Sequence, residues 1–463
     1  VGGDAQLRER RAVSAARRVI VLGGGLAGIA AALDCAAAGA RVTLIEVRPR
    51  LGGAAYSFER DGLTLDNGQH VFLRCCSAYR GLLARLGSTH RVALQPRLEI
   101  PVLSPHAATT VLRRSALPAP LHLARALARY PHLTPLQRLR AARAAFALGR
   151  LDQLAAREHE LAAVDRGGSP TRGTLGEWLA AHGQDRASVA ALWDLIALPT
   201  LNLRAEEGSL ALGAFVLRTG LLERNDAGDI GFHAESLSAT LGDPAVRALE
   251  RSGVDLRLGV RAERVSREPD GLRVAAAGER LECDAVICAI PHQRAAALLE
   301  PLLGAQAARW RALGSSPIIN VHVVYDRRVC EHGFAAGVGT PVQYLFDRTA
   351  VAGLDEGQCL AISLSGAAQE MALSGERLRE RYVGALEELF PRARGARVLA
   401  VHISREHAAT FRAAPGVHAL RPRAHTRIPG LVLAGAWTDT GWPATLEGAV
   451  LSGHSAAREA LAA

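Results

Sequence analysis

The chain has no lysine. All 55 of its basic residues are arginine, and against 45 acidic residues they leave a formal net charge of +10. Guanidinium groups suit phosphates and anionic headgroups. An Ala- and Arg-rich composition accounts for the excess without an acidic partner, however, and no nucleic-acid ligand is expected. The 7 cysteines are an odd number and include no C-x-x-C pair, which removes support for a zinc finger or a disulfide framework. Reduced thiols of a cytoplasmic protein are expected. Neither H-E-x-x-H nor G-x-S-x-G occurs, so zinc protease and serine hydrolase readings lose their usual support. No run is apolar enough for a spanning helix. Val19 to Ala40 comes nearest, but it opens on Gly23-Gly24-Gly25 and carries Asp34. Residues 1–17 are Arg-rich without a cleavage-site pattern and are expected to form a disordered, solvated tail.

With 49% hydrophobic and 22% charged residues, the composition is that of a globular protein. A length of 463 residues suits two or three domains. Val19 to Leu22 reads as a buried parallel strand. It runs into Gly23-Gly24-Gly25-Leu26-Ala27-Gly28, a G-x-G-x-x-G match, then an Ala-rich helix to Ala38, closed by Gly39. Arg41 to Ile45 is a second strand, and Glu46 stands 18 positions beyond Gly28. The glycines answer different steric demands. Gly23 permits the tight turn, Gly25 lets the backbone approach a pyrophosphate, and Gly28 lets the helix pack on the strand. The helix N-terminus then faces the phosphates, and Glu46 accepts hydrogen bonds from a ribose. The pattern predicts dinucleotide binding, and the acid argues against NADP.

Beyond Glu46, Val47-Arg48-Pro49-Arg50-Leu51-Gly52-Gly53 resembles the E-x5-G-G extension of the flavoprotein family of amine oxidases and phytoene-type desaturases, which implies FAD. Ala54 stands where that family carries Arg or Lys. A second match follows the strand Leu431 to Ala434. There Gly435-Ala436 resembles the family's Gly-Asp at the ribityl chain, with Ala in place of Asp, and Asp439 lies three residues on. Thr445 and Leu446 open a helix whose N-terminus the resemblance aims at the flavin. Between the two matches, the resemblance places the Ala262 backbone at the adenine. Gly68, Gln69 and His70, in Asp66-Asn67-Gly68-Gln69-His70, pass close to the isoalloxazine. The implied fold is α/β: a Rossmann-like FAD-binding domain (18–95, 241–300 and 425–463) with a discontinuous mixed α+β substrate-binding domain (96–240 and 301–424), as in amine oxidases and phytoene desaturases.

The insertions carry a narrower resemblance. Leu117-Pro118-Ala119-Pro120-Leu121-His122-Leu123, Ser316 to His322, Tyr325-Asp326-Arg327 and Phe346-Asp347-Arg348-Thr349 resemble the hydroxysqualene dehydroxylases of bacterial hopanoid pathways. This implies hydride delivery to an allylic carbon of a hydrophobic C30 isoprenoid, loss of water, and a long apolar tunnel for the chain. His70, with an ordinary pKa of about 6.5, is the candidate acid; the alternative is that Gln69 and His70 only bind flavin. No motif identifies the reductant. Helices are expected over Pro120 to Tyr130 and Pro135 to Gly149. The second carries Leu136, Leu139, Ala142 and Phe146 on one side with Arg138, Arg140 and Arg143 around them. Such a helix is either a solvated charged face or a contact with the inner face of a membrane. Two enzyme alternatives remain, a carotenoid-type desaturase or an amine oxidase. The second is disfavoured by only 4% aromatics for an amine cage. A scaffold that has lost firm FAD binding, through Ala54 and Ala436, is the non-enzyme alternative.

Overall fold

A computed structural model describes residues 16–165, 172–269 and 271–462. Of the expected tail, residues 1–15 lie outside these. Arg17 is already part of the fold, its carbonyl accepting the Arg41 N–H at 2.8 Å. The first sheet is parallel and five-stranded, in the order Asp255–Leu258, Arg41–Glu46, Arg18–Leu22, Ala285–Cys288, Leu431–Leu433. Val19 through Leu22 are all buried, as a strand covered on both faces requires. The helix Leu26–Ala37 is buried along most of its length and covers this sheet. Its Ala27 and Ala30 meet the C-terminal helix Leu446–Ala462, which packs against it from the far end of the chain. At their crossing a Cβ on Gly453 would lie 2.3 Å from the Ala27 carbonyl oxygen, so only glycine fits.

The second sheet has seven strands. Its long members Ser316–Tyr325 and Gln358–Ser365 are antiparallel neighbours. Val398–Thr410 pairs on the other side. Alternation divides the central strand. Ile319, Val321, Val323 and Tyr325 enter a core under the helix Gly375–Leu389. Val324 instead meets Leu65 of the hairpin Ser57–Asp66, and Asn320 meets Asn67 just beyond it. The central strand thus joins the two halves of the molecule.

One helical expectation changes and the other holds. Pro120 to Tyr130 is a 3-10 turn, Leu121–Leu123, and a five-residue helix, Ala124–Ala128, which ends shortly before Pro131, a residue that cannot continue it. Pro135–Arg150 is one helix, opened by a Thr134–Gln137 capping box with Pro135 in the first turn. It is seated on Ala141, Ala144 and Leu148, and its larger residues Leu136, Leu139 and Phe146 face outward.

Candidate functional site

The glycine turn is built as a cradle with one open side. A Cβ on Gly28 would lie 1.9 Å from the Gly23 carbonyl oxygen, so the helix meets the strand too closely for any side chain. Gly25, by contrast, has only the Gly53 Cα within reach, at 3.8 Å. Gly52 N–H donates to the Gly24 carbonyl at 2.9 Å, which draws the second glycine pair against the first. A Cβ on Gly53 would lie 2.8 Å from the Gly25 Cα. Leu26 and Ala27 are buried in the helix underneath and offer only backbone to a ligand. No side chain caps this helix at Gly25, which leaves its first amides for an anion.

Glu46 is buried at the end of its strand and braces the cradle. Its carboxylate accepts the Gly24 N–H at 2.6 Å and the Arg48 N–H at 2.8 Å. A carboxylate has about four acceptor positions, so two remain for ribose hydroxyls. Val260 N–H donates to the Glu46 carbonyl and Gly259 N–H to the Arg48 carbonyl. These bonds bring the strand beginning at Ala262 alongside Glu46, Val47 and Arg48.

Ala54 is exposed and contributes its carbonyl, which accepts from Asn67 Nδ2 at 2.9 Å. The missing cation has a neighbour that the sequence did not single out. Arg50 lies over the Tyr56 ring at 3.5 Å and donates from Nη1 to the Gly53 carbonyl, while its Nη2 is buried without a partner. Burial, then the Arg48 charge, lowers the Arg50 pKa. At the second match, Gly435 N–H donates to Ser452 Oγ of the C-terminal helix, and Thr445 Oγ1 accepts the Gly448 N–H at the start of that helix. Asp439 does not stand in for the acid missing at Ala436, because it is paired with Arg157 at 3.2 Å. The Ala436 carbonyl is instead held by Arg421, a buried guanidinium whose Nη1 has no partner and whose pKa burial lowers to about 10.

Asn67 is the hub on the other side, another residue the sequence motifs left out of the site. Its carbonyl accepts from Asn320 Nδ2 and Ser404 Oγ, both at 2.8 Å, and its side chain also donates to Glu406 at 2.9 Å. Gly68 follows, with the Asn320 amide and the His70 ring on the side where its Cβ would be. Gln69 Nε2 and Asn320 Oδ1 are buried without partners. The His70 carbonyl accepts from His233 Nδ1 at 2.7 Å, and His233 Nε2 meets Tyr79 OH at 2.7 Å. Desolvation keeps both imidazoles neutral, lowering His70 below its ordinary range and His233 to about 4.

Two cavities adjoin this segment. One of about 10 Å³, room for a single water, lies between Gln69, His70 and Arg348. The other, about 510 Å³, shares Phe232, His233, Phe346 and Arg348 with it, and its size is that of a small-molecule site. Phe232, Phe334 and Phe346 form its aromatic wall, and Arg97, Glu99 and Asp347 also line it. The lining of this cavity is thus aromatic with charged groups among it, which differs from the long, wholly apolar tunnel expected. Phe334 and Tyr344 are parallel at 5.7 Å between centroids, in contact with each other rather than spaced around a guest.

The open cradle, the free lone pairs of Glu46 and the orphaned atoms of Arg50, Gln69 and Asn320 together fit FAD. A family model for flavin containing amine oxidoreductase matches residues 26–461. Hydroxysqualene dehydroxylase of Rhodopseudomonas palustris is 30% identical, over 96% of this chain and 99% of that protein. The protein of the same name from Sinorhizobium fredii is 29% identical, over 96% and 98%. A "probable zeta-carotene desaturase" of Synechococcus elongatus is 24% identical, over 96% and 99%. Among solved structures, a cofactor-binding redesign of putrescine oxidase superposes with a TM-score of 0.72 at 20% identity, covering 96% of this chain and 99% of that one.

Proposed function

The chain belongs to the flavin-containing amine oxidoreductase family and is an FAD-dependent oxidoreductase, and from that premise we propose that it reduces hydroxysqualene to squalene, with loss of water, in squalene and hopanoid biosynthesis. The observation that carries this reading is that its similarity to hydroxysqualene dehydroxylases runs the length of both chains, insertions included. Two insertion segments lie at the site: Asn320 holds Asn67, and Phe346 and Arg348 wall both cavities.

FAD, when bound and reduced, supplies the hydride. The chain supplies the rest. The Gly25 end of the Leu26–Ala37 helix holds the pyrophosphate, Glu46 the ribose, and the Ala262 backbone the adenine. Phe232, Phe334 and Phe346 shield the reacting end of the polyene from water. His70 donates the proton that lets the hydroxyl leave as water. Since its imidazole is neutral at rest, the donating form becomes more abundant as pH falls. Residues 18–95, 241–300 and 425–463 form the FAD-binding unit, and 96–240 with 301–424 the substrate-binding unit. Among the described residues no helix is long and apolar enough to cross a membrane, and contact with the inner leaflet is peripheral in this reading.

The test is anaerobic incubation of the chemically reduced, FAD-loaded protein with hydroxysqualene. Squalene is the expected product, with deuterium from reduced flavin at the carbon that lost its hydroxyl. The desaturase relative favours a second reading. Failure to form squalene, together with dehydrogenation of a polyene by the oxidised protein, would establish that one instead.

A further inference from the structure

The helix Pro135–Arg150 is mounted in an unusual orientation. Its seat is two alanines and a leucine, whereas Leu136, Leu139 and Phe146 are 55%, 50% and 55% exposed. Leu117 and Leu121, on the turn leading to the short helix packed beside it, are 53% and 58% exposed. Side chains of this size are normally the ones an amphipathic helix buries. Here they form an apolar stripe of roughly 15 Å along the helix, at 1.5 Å per residue from Leu136 to Phe146.

The charge around the stripe is of one sign. Between Glu99 and Asp152 the sequence has 8 arginines and no acid. Arg113 and Arg114 are spoken for by Glu99 and Asp229. Among the described residues, Arg125, Arg129, Arg143 and Arg150 make no ion pair. At helical spacing Arg143 and Arg150 fall on the same side as the stripe, and the Arg150 guanidinium lies 4.1 Å from the Phe146 ring centroid. Asp185 lies at the flank, where it accepts from Gln137, and Asp152 follows two residues beyond Arg150. Apolar side chains interleaved with long cations suit a lipid interface: the apolar groups enter the acyl boundary and the guanidiniums reach back to phosphates.

We propose that this face, Leu117–Leu121 with the outer side of Pro135–Arg150, docks the protein on an anionic bilayer. Charge complementarity selects that occupant. A second copy meeting the same face through a two-fold axis would set one arginine cluster against another. The inference rests on the squalene-forming reading only in its purpose, which is to bring the protein to the phase where a C30 polyene resides.

The test is flotation of the full FAD-loaded chain with vesicles of equal parts phosphatidylcholine and phosphatidylglycerol, beside vesicles of phosphatidylcholine alone. No substrate is present, so failure here is distinct from failure of the squalene assay. Binding to the anionic vesicles is expected, weakened by salt. The combined variant Leu136→Ser, Leu139→Ser, Phe146→Ser should lose roughly a hundredfold or more in affinity. Arg143→Gln with Arg150→Gln should lose roughly fivefold per charge. Leu399→Ser, an equally exposed leucine on another element, is the control and should change nothing. Retained flavin absorbance and an unchanged melting temperature certify the fold of each variant. Three results would overturn the proposal: no binding by the parent chain, equal binding by the serine variant, or a parent dimer that the serine variant converts to monomer without affecting flotation.

Discussion

Replacing Glu46 by Ala separates two roles of one carboxylate. Within the protein it accepts from Gly24 and Arg48 N–H groups at 2.6 and 2.8 Å. Gly24 is buried and Arg48 is exposed. The Arg48 amide can therefore return to water, while the Gly24 amide is orphaned at a cost of about 1–3 kcal/mol. That loss should appear as a lower melting temperature of the FAD-free protein. The cofactor's share is separate. Each remaining lone pair that takes a ribose hydroxyl contributes a charge-assisted bond of about 1.5–3 kcal/mol, so the FAD dissociation constant should rise roughly 10- to 150-fold per bond lost. Fluorescence titration of the stripped protein measures this directly. Glu46→Gln divides the two roles. Its carbonyl oxygen can keep the Gly24 bond and restore the melting temperature, while the weaker neutral acceptor leaves FAD affinity reduced. If Glu46→Ala melts lower yet binds FAD as tightly as the parent, the carboxylate is only a brace for the turn, and its assignment to the ribose is wrong.

Arg50→Gln should weaken FAD binding about tenfold or more, the worth of one charge-assisted bond. Ala54→Arg should rescue that variant more than it helps the parent. Equal, additive effects in both backgrounds would mean that Arg50 does not fill the place left by Ala54. His70→Ala should slow turnover, leave squalene as the product and remove the rise in rate toward low pH; an unchanged rate and pH profile would take the proton donor elsewhere. Acid should also unfold the protein early. His233 and His322 are held neutral by burial, with pKa values lowered from 6.5 to about 4, so below pH 6.5 the unfolded chain binds protons that the native one refuses. Stability is then complete above pH 6.5 and falls as pH drops toward 4, each imidazole contributing about 2 kcal/mol of the loss between pH 7 and 5. His322→Gln should flatten that slope in denaturant titrations at the two pH values, and an unaltered slope would contradict the assignment.

What the sequence determined by itself is local and backbone-driven. The run from Val19 to Glu46 specifies strand, turn, helix and strand, because each glycine answers a steric demand within a few residues, as Gly28 against the Gly23 carbonyl shows. Periodicity likewise told that Pro135 to Gly149 would be a helix with an apolar stripe, and the helix found is Pro135–Arg150. It could not tell which way the stripe faces, because that depends on what the alanine side meets, and tertiary packing seated Ala141, Ala144 and Leu148 inward. The rest of the site depends on pairings between residues far apart in the chain. Asp439 is taken by Arg157, 282 positions away. Asn67 is fixed by Asn320, 253 positions away. His70 is tied through His233 to Tyr79. None of these pairings carries a local signature, since a side-chain hydrogen bond depends on distance and direction in space, and only the folded chain sets those.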